Sequence, residues 1–431
     1  MIREAGTAEM APHVEARPFL TALFHAAVNA ADPAKVMPAF LPPKPKGRTI
    51  VIGAGKGSAQ MALAFEQVWD GPYEGVVVTR YGFGAPCKRI EVLEASHPVP
   101  DANGLIASRR LKQMVAGLTE DDLVIALVCG GGSALLPAPA GDLTLEDEIA
   151  VNKELLASGA PISAMNAVRK HISTIKGGRL AALAYPAKVV SLIVSDIPGD
   201  IASYVASGPT VPDANSRDDA LGLIAQYRMN FPDAVMKHLR SAKAAAPMPD
   251  DPVFSGNDVH IIASAAVSLQ AAADAARRLG IEAVILSDAI EGEAREAAKV
   301  HAAIAREVSM RGRPFNKPVV ILSGGETTVT VTGNGKGGRN TDFLLSFARD
   351  IDGLAGIDAL AADTDGIDGS EDNAGAFADG TSVARMREKG LDPALHQRNN
   401  DAWTAFNAVG DIFFTGPTGT NVNDFRAILV R

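Results

Sequence analysis

Glycine is the residue that most constrains this chain, because its 41 copies bunch directly behind short apolar runs instead of spreading along the sequence. Gly53-Ala54-Gly55-Lys56-Gly57-Ser58 follows the run Thr49 to Ile52 and precedes a helix-like stretch from Ser58 to Val68. Cys129-Gly130-Gly131-Gly132-Ser133 follows Leu123 to Val128. Further strand-length runs stand at 76 to 79, 90 to 93 and 189 to 194, with helix-like segments between them. Buried strands alternating with helices predict a parallel sheet covered on both faces, with its ligands at the carboxyl ends of the strands.

Composition closes off other classes. At 431 residues the chain is long enough for two domains. The stretch AAAPMPDD at 244 to 251 is the most linker-like in the chain, which predicts domains over 1–252 and 253–431, the last residues returning to the first domain. Forty-seven per cent hydrophobic and 21% charged residues exclude a disordered chain. A net charge of −9 disfavours nucleic acid and anionic membranes as partners. Two cysteines, Cys87 and Cys129, are too few for a disulfide framework, and Met1 to Leu20 has no signal-peptide core. A cytoplasmic protein is expected. In the second half, Val319 to Leu322 and Thr327 to Thr332 are separated by only Ser323-Gly324-Gly325-Glu326, which predicts an antiparallel pair and hence a mixed sheet.

The glycine clusters suit anions, since glycine lets backbone amides approach a phosphate. In the first, Gly55 allows the approach and Lys56 adds a charge. As a dinucleotide fingerprint it fails at Ser58 and again at Thr79-Arg80, where an acidic residue should stand, although Arg80 keeps an NADP reading open. Gly130, Gly131, Gly132 and Ser133 offer a second phosphate cradle. VRKHISTIKGGR at 168 to 179 carries Arg169, Lys170, Lys176 and Arg179, a cationic wall from which Lys176 could reach a nucleotide. Asp196 ends the run Val189 to Val194, where it could hold Mg²⁺ beside phosphates. Lys336 and Arg339 precede a helix beginning near Thr341 and form another anion trap. Asp365, between Asp363 and Asp368, could be a base, a metal ligand or a turn residue.

The ordered set VIGAGKGSAQMA, SHPVPD, CGGGSALL, VRKHISTIKGGRLA, SDIPGD, SGPT, SGGETTVTV, GKGGRN, TDGIDG, AGAFADG and TGPTGTNVND, from about residue 18 to the end, resembles the glycerate 2-kinase family. Members of that family carry a C-terminal MOFRL domain and are often called hydroxypyruvate reductases. Cys129 stands where the family usually has Ser, and Thr341-Asp342 where Gln-Glu is usual. The resemblance implies a Rossmann-like α/β/α parallel-sheet domain, a second mixed-sheet α/β domain and an active site in the cleft between them. It implies transfer of the ATP γ-phosphoryl group to the 2-hydroxyl of D-glycerate with Mg²⁺, and it places the family's functional lysine and arginine on Lys56 and Arg339. With Asp365 as base, these would be catalytic. Gly55, Gly130 to Gly132, Ser133 and Lys176 would bind ATP, while Ser96, His97, Lys56 and Arg339 would meet glycerate. Asp196 and Glu326 would hold the metal. A homodimer is left open. An NAD(P)H-dependent hydroxypyruvate reductase and a non-catalytic metabolite-binding protein are the rival readings.

Overall fold

The computed structural model describes residues 14–197 and 199–431. Most of the N-terminal stretch read for a signal peptide, and Pro198 of the SDIPGD motif, lie outside them. The chain forms two compact units, one of Ala31–Ser264 and one of Ala265–Arg431 together with the N-terminal helix Ala16–Ala30.

The first unit contains strands β1 (Thr49–Ala54), β2 (Glu74–Arg80), β3 (Ile90–Ala95), β4 (Leu123–Cys129), β5 (Lys188–Val194) and β6 (Asp258–Ala263). They pair in the order β3-β2-β1-β4-β5-β6, all parallel. Every residue of β1 and β4 is buried, as a strand covered on both faces by helices requires. Ile50, Ile52, Val124 and Val128 join Leu111 and Val115 of helix Ala102–Val115 in one core. The strand order reverses between β1 and β4. Ligands of doubly wound sheets bind at that switch point, and there the two glycine clusters follow.

The second unit contains β7 (Glu282–Ser287), β8 (Gly292–Glu293), β9 (Val319–Gly325), β10 (Thr327–Thr328), β11 (Ile357–Asp363), β12 (Gly375–Asp379), β13 (Ile412–Phe413) and β14 (Asp424–Val430). Six of these form a sheet in the order β13-β12-β11-β14-β9-β7, in which only β7 and β9 are parallel. The sheet is mixed, as expected, but for a different reason. β9 does not fold back onto 327 to 332; it pairs antiparallel with β14, the last strand of the chain, while β10 is a two-residue pairing with β8. Gly325, at φ 125°, turns the chain away from the sheet, and a Cβ there would meet the backbone of Ile290 at 2.2 Å.

The division also falls elsewhere than composition suggests. The stretch 244 to 257 lies inside the first unit, because β6 beyond it pairs with β5 and Val189 N donates to Asn257 Oδ1 at 2.9 Å. β14 is central in the second sheet, so the closing residues belong to the second unit. Phe19, Leu23 and Phe24 of the N-terminal helix are buried with Leu269, Val320 and Phe425 of the second unit.

Candidate active site

The loop after β1 is closed on itself. Gly55 N donates to Val78 O (3.1 Å), Lys56 N to Gly130 O (2.8 Å), Gly57 N to Cys129 Sγ (3.1 Å) and Ser58 N to Gly55 O (3.2 Å). Its amides are therefore spent inside the protein. Gly55 is glycine because of packing: at φ 138° a Cβ would lie 2.3 Å from Cys129 Sγ and 2.4 Å from Cys129 O. Its expected role in holding phosphate is not what this geometry offers. Ser58 Oγ donates to Val78 O, and Thr79 Oγ1 donates to Lys56 O at 2.9 Å, so the Lys56 backbone is held from both sides.

The loop after β4 is different. Gly131 takes φ 79°, a left-handed conformation that glycine adopts freely, and among the described residues the amides of Gly131 and Gly132 have no internal acceptor. A Cβ on Gly131 would lie 3.1 Å from both Lys56 Cε and His97 Nε2, while one on Gly130 would overlap the Asp196 carboxylate. The structure thus brings Gly130, Gly131, Lys56, His97 and Asp196 together, with half-buried Ser96 next to His97. Burial pushes the His97 pKa down to about 4, and Lys56 and Arg80 add to the effect, so the ring is neutral at physiological pH. Cys129 is pushed up to about 12, chiefly by burial, and stays a thiol. Arg80 stacks on Phe83, its guanidinium carbon 3.5 Å from the ring centre.

Ser133 Oγ and Ser207 Oγ share a hydrogen bond of 2.8 Å, and Ser207 Oγ donates to Asn166 Oδ1 at 2.8 Å. Ala206 and Ser207 have φ of 52° and 60°, a conformation costly for residues with a Cβ and common at functional loops. The SGPT motif therefore serves the second glycine loop through Ser207.

The cationic wall is not a wall. Lys176 is fully buried in an ion pair with Glu148, and Lys170 is buried against Asp213, 2.6 Å from Oδ1. Arg179 binds backbone carbonyls, Ala245 O at 2.8 Å among them. Lys176 thus stands apart from the nucleotide role expected of it, because its charge is matched inside the core. A Lys176→Met substitution should cost about 3–5 kcal/mol by stranding the Glu148 carboxylate, measured by urea unfolding. A loss within about 0.5 kcal/mol, the scale of an ordinary surface substitution, would show that Glu148 does not need this charge.

In the second unit Arg339 opens helix Arg339–Asp350 and meets three carboxylates. Nε donates to Asp424 Oδ1 (2.6 Å), one terminal nitrogen to Asp363 Oδ2 (2.6 Å) and the other to Glu326 Oε1 (3.0 Å). Three of five N–H donors are used, which leaves two for a substrate oxygen. Burial opposes the Arg339 charge, but Asp424, Asp363 and Glu326 outweigh it and raise its pKa. Arg426, fully buried, shares Asp424. Three carboxylates against two guanidinium groups leave one negative charge in excess. Burial, with Asp365 and Asp424 adding to it, accordingly holds Asp363 well above the usual carboxylate value despite Arg339.

The expected anion trap at this helix start is already filled. Asn340 N and Thr341 N donate to Asp368 at 2.9 and 2.8 Å, and Lys336 faces Glu371 and the Trp403 ring. Asp365 makes the turn its sequence allowed, with Oδ1 accepting from Ile367 N at 2.8 Å. Glu326 is a partner of Arg339, and among the described residues no group of three or more His, Cys, Asp or Glu side chains could hold a metal. Sequence reasoning missed Glu148, Asp213 and Arg426, which carry no motif of their own. It included Asp424 only as the last letter of TGPTGTNVND.

A sequence profile described as a domain of unknown function, DUF4147, matches residues 19–240, and the MOFRL family profile matches 319–424. A Pyrococcus horikoshii protein named glycerate 2-kinase is 41% identical, the match covering 89% of this chain and 88% of that one. A Thermotoga maritima D-glycerate 2-kinase is 38% identical over 92% and 94%. The chain belongs to the glycerate 2-kinase family. An Agrobacterium vitis relative, 50% identical over 97% of this chain and 95% of its own, bears the provisional name hydroxypyruvate reductase. The crystal structure of the Thermotoga maritima glycerate kinase superposes with a TM-score of 0.87 at 36% identity, covering 96% of this chain and 99% of that one. The two-unit α/β architecture is thus that of the family. Among the described residues no helix is long and apolar enough to cross a membrane.

Proposed function

We propose that this protein transfers the γ-phosphoryl group of ATP to the 2-hydroxyl of D-glycerate, giving 2-phosphoglycerate and ADP. The observation that carries the reading is the Lys56 side chain lying against Gly131, one of two glycines whose amides have no internal acceptor among the described residues, at the switch point of a parallel sheet. A phosphate at the loop 130–133 would meet backbone donors and an ammonium group together. Ser133, tied to Ser207, fixes the far side of that loop.

The chemistry forms a bond between the glycerate 2-oxygen and Pγ, breaks the bond from Pγ to the β,γ-bridging oxygen, and releases one proton from the hydroxyl. Positioning and charge stabilisation are what a protein contributes to such a transfer. Lys56 neutralises charge on the phosphoryl oxygens. His97, neutral, offers a ring nitrogen beside Lys56 without adding a second charge, and Ser96 lines the same end. For Arg339 the reading rests on the family resemblance and on its own surroundings in the second unit, where its two spare N–H donors suit the glycerate carboxylate. Asp365 takes the hydroxyl proton on Oδ2, since Oδ1 is held by Ile367 N.

Asp196 fits a magnesium ion, because its carboxylate occupies the space over Gly130 that a side chain there would fill. Mg²⁺ needs only one or two protein carboxylates when phosphates complete its shell, and it would screen charge on the ATP phosphates. Glu326 is reserved in this reading for Arg339. ATP as donor and the unpaired Cys87 and Cys129 both suit the cytoplasm.

The reductase reading has one observation in its favour, the name borne by the Agrobacterium relatives. Against it stands the end of β2, which offers Thr79, capping Lys56 O, and Arg80, stacked on Phe83, in place of a carboxylate for a ribose. Purified protein with D-glycerate and MgATP should release ADP in a coupled assay, and should leave NADH and NADPH absorbance at 340 nm unchanged with hydroxypyruvate. Nicotinamide oxidation without glycerate-dependent ADP release would reverse the conclusion.

A further inference from the structure

The first unit holds a second concave site, lined by none of the residues assigned to the reaction. Lys112 of helix Ala102–Val115, Thr174, Arg179 and Leu183 of helix Arg179–Ala184, His238 and Lys243 line an open pocket of about 430 Å³. That volume is ordinary for a small-molecule pocket. Its charge is not ordinary for a chain of net charge −9.

Lys112, Arg179 and Lys243 all face this space, and among the described residues no Asp or Glu lines it. Lys112 Nζ donates to a neutral partner, Thr174 Oγ1, at 3.1 Å. Among the described residues Arg179 donates to the carbonyl oxygens of Lys170, Ala244 and Ala245 and to no carboxylate. Burial lowers its pKa, and no carboxylate among the described residues offsets the loss. Lys243 is exposed and makes no ion pair among the described residues. His238 is held by a hydrogen bond of 3.1 Å between Nε2 and His171 O. Elsewhere in this unit the buried cations Lys170 and Lys176 have carboxylate partners. Three cations lining one pocket without a carboxylate partner among the described residues suit a guest that brings the negative charge itself.

We infer that this cavity binds a small phosphomonoester, its phosphate on Lys112, Arg179 and Lys243 and its organic part against Ala182, Leu183 and Pro247. A phosphate dianion answers three cations around one pocket better than a single carboxylate, which leaves two of them unopposed. The apolar wall is what distinguishes an organic phosphate from the free ion. The inference does not depend on the kinase reading, since the two sites share no residue.

Isothermal titration of the full chain with glycerol 2-phosphate, and separately with inorganic phosphate, tests it. Binding of glycerol 2-phosphate should survive Lys56→Ala and weaken at least tenfold in Lys112→Met/Lys243→Met, since each lost charge-assisted contact is worth about a factor of ten. Circular dichroism melting verifies the fold of the double variant, and Lys243→Met alone, at an exposed position, gives the same readout if the pair unfolds. Three results would overturn the site: no binding heat, binding lost with Lys56→Ala yet unchanged in Lys112→Met/Lys243→Met, or inorganic phosphate binding as tightly as the ester.

Discussion

Lys56→Ala should lower kcat/KM for glycerate-dependent ADP release by about a thousandfold, the scale on which a single preorganised charge at a transferring group acts, while thermal melting stays within a few degrees of the parent. The asymmetry follows from how Lys56 is held. Its position depends on its backbone, through Lys56 N to Gly130 O and Thr79 Oγ1 to Lys56 O, and alanine keeps both bonds. What alanine removes is the stem, whose Cγ and Cε lie against Gly131, and the ammonium group that it carries. His97 cannot stand in for it, because a ring with a pKa of about 4 carries no charge at the assay pH. Lys56→Arg should recover part of kcat, since charge returns with different reach and geometry. Activity within threefold of the parent for Lys56→Ala would remove this lysine from the reaction.

Much of the first unit was legible because parallel strands and their glycine turns are local patterns. The helix read as Ser58 to Val68 has those bounds, and β1, β2, β4 and β5 each extend their apolar runs by one or a few residues. What local pattern could not give is pairing between distant segments. β9 lies nearly a hundred residues from its partner β14, so the short gap to Thr327 invited a hairpin that the chain does not form. The same limit governs the site. Gly55 and Gly131 look equivalent as letters, yet one is filled by Cys129 and the other is open to Lys56 and His97. Lys176 and Lys56 likewise differ only through a residue far off in sequence, Glu148, which takes Lys176 into the core.

Arg339→Ala should damage stability and catalysis together, and the two losses can be separated. Among the described residues, removing the guanidinium leaves Arg426, paired with Asp424, as the one cation against Asp363, Asp424 and Glu326, which raises the excess negative charge from one to two. Stranding buried carboxylates in this way costs about 3–5 kcal/mol. The pH dependence identifies the cause. A carboxyl whose folded pKa lies above its unfolded value binds more protons in the folded state, so stability rises as pH falls through that window toward the unfolded pKa. Asp363 already shows the upward shift, and Arg339 is the principal attraction opposing it. Urea unfolding of Arg339→Ala should therefore recover more stability than the parent between pH 7 and pH 5. Arg339→Lys restores one charge but cannot serve three carboxylates in a plane, so it should return less than half of the lost stability. In the folded fraction the KM for glycerate should rise at least tenfold with the KM for ATP little changed, because the two spare N–H donors are assigned to the carboxylate of the acceptor. Unaltered stability would show that the three carboxylates do not need Arg339, and an unaltered glycerate KM would show that the acceptor does not touch it.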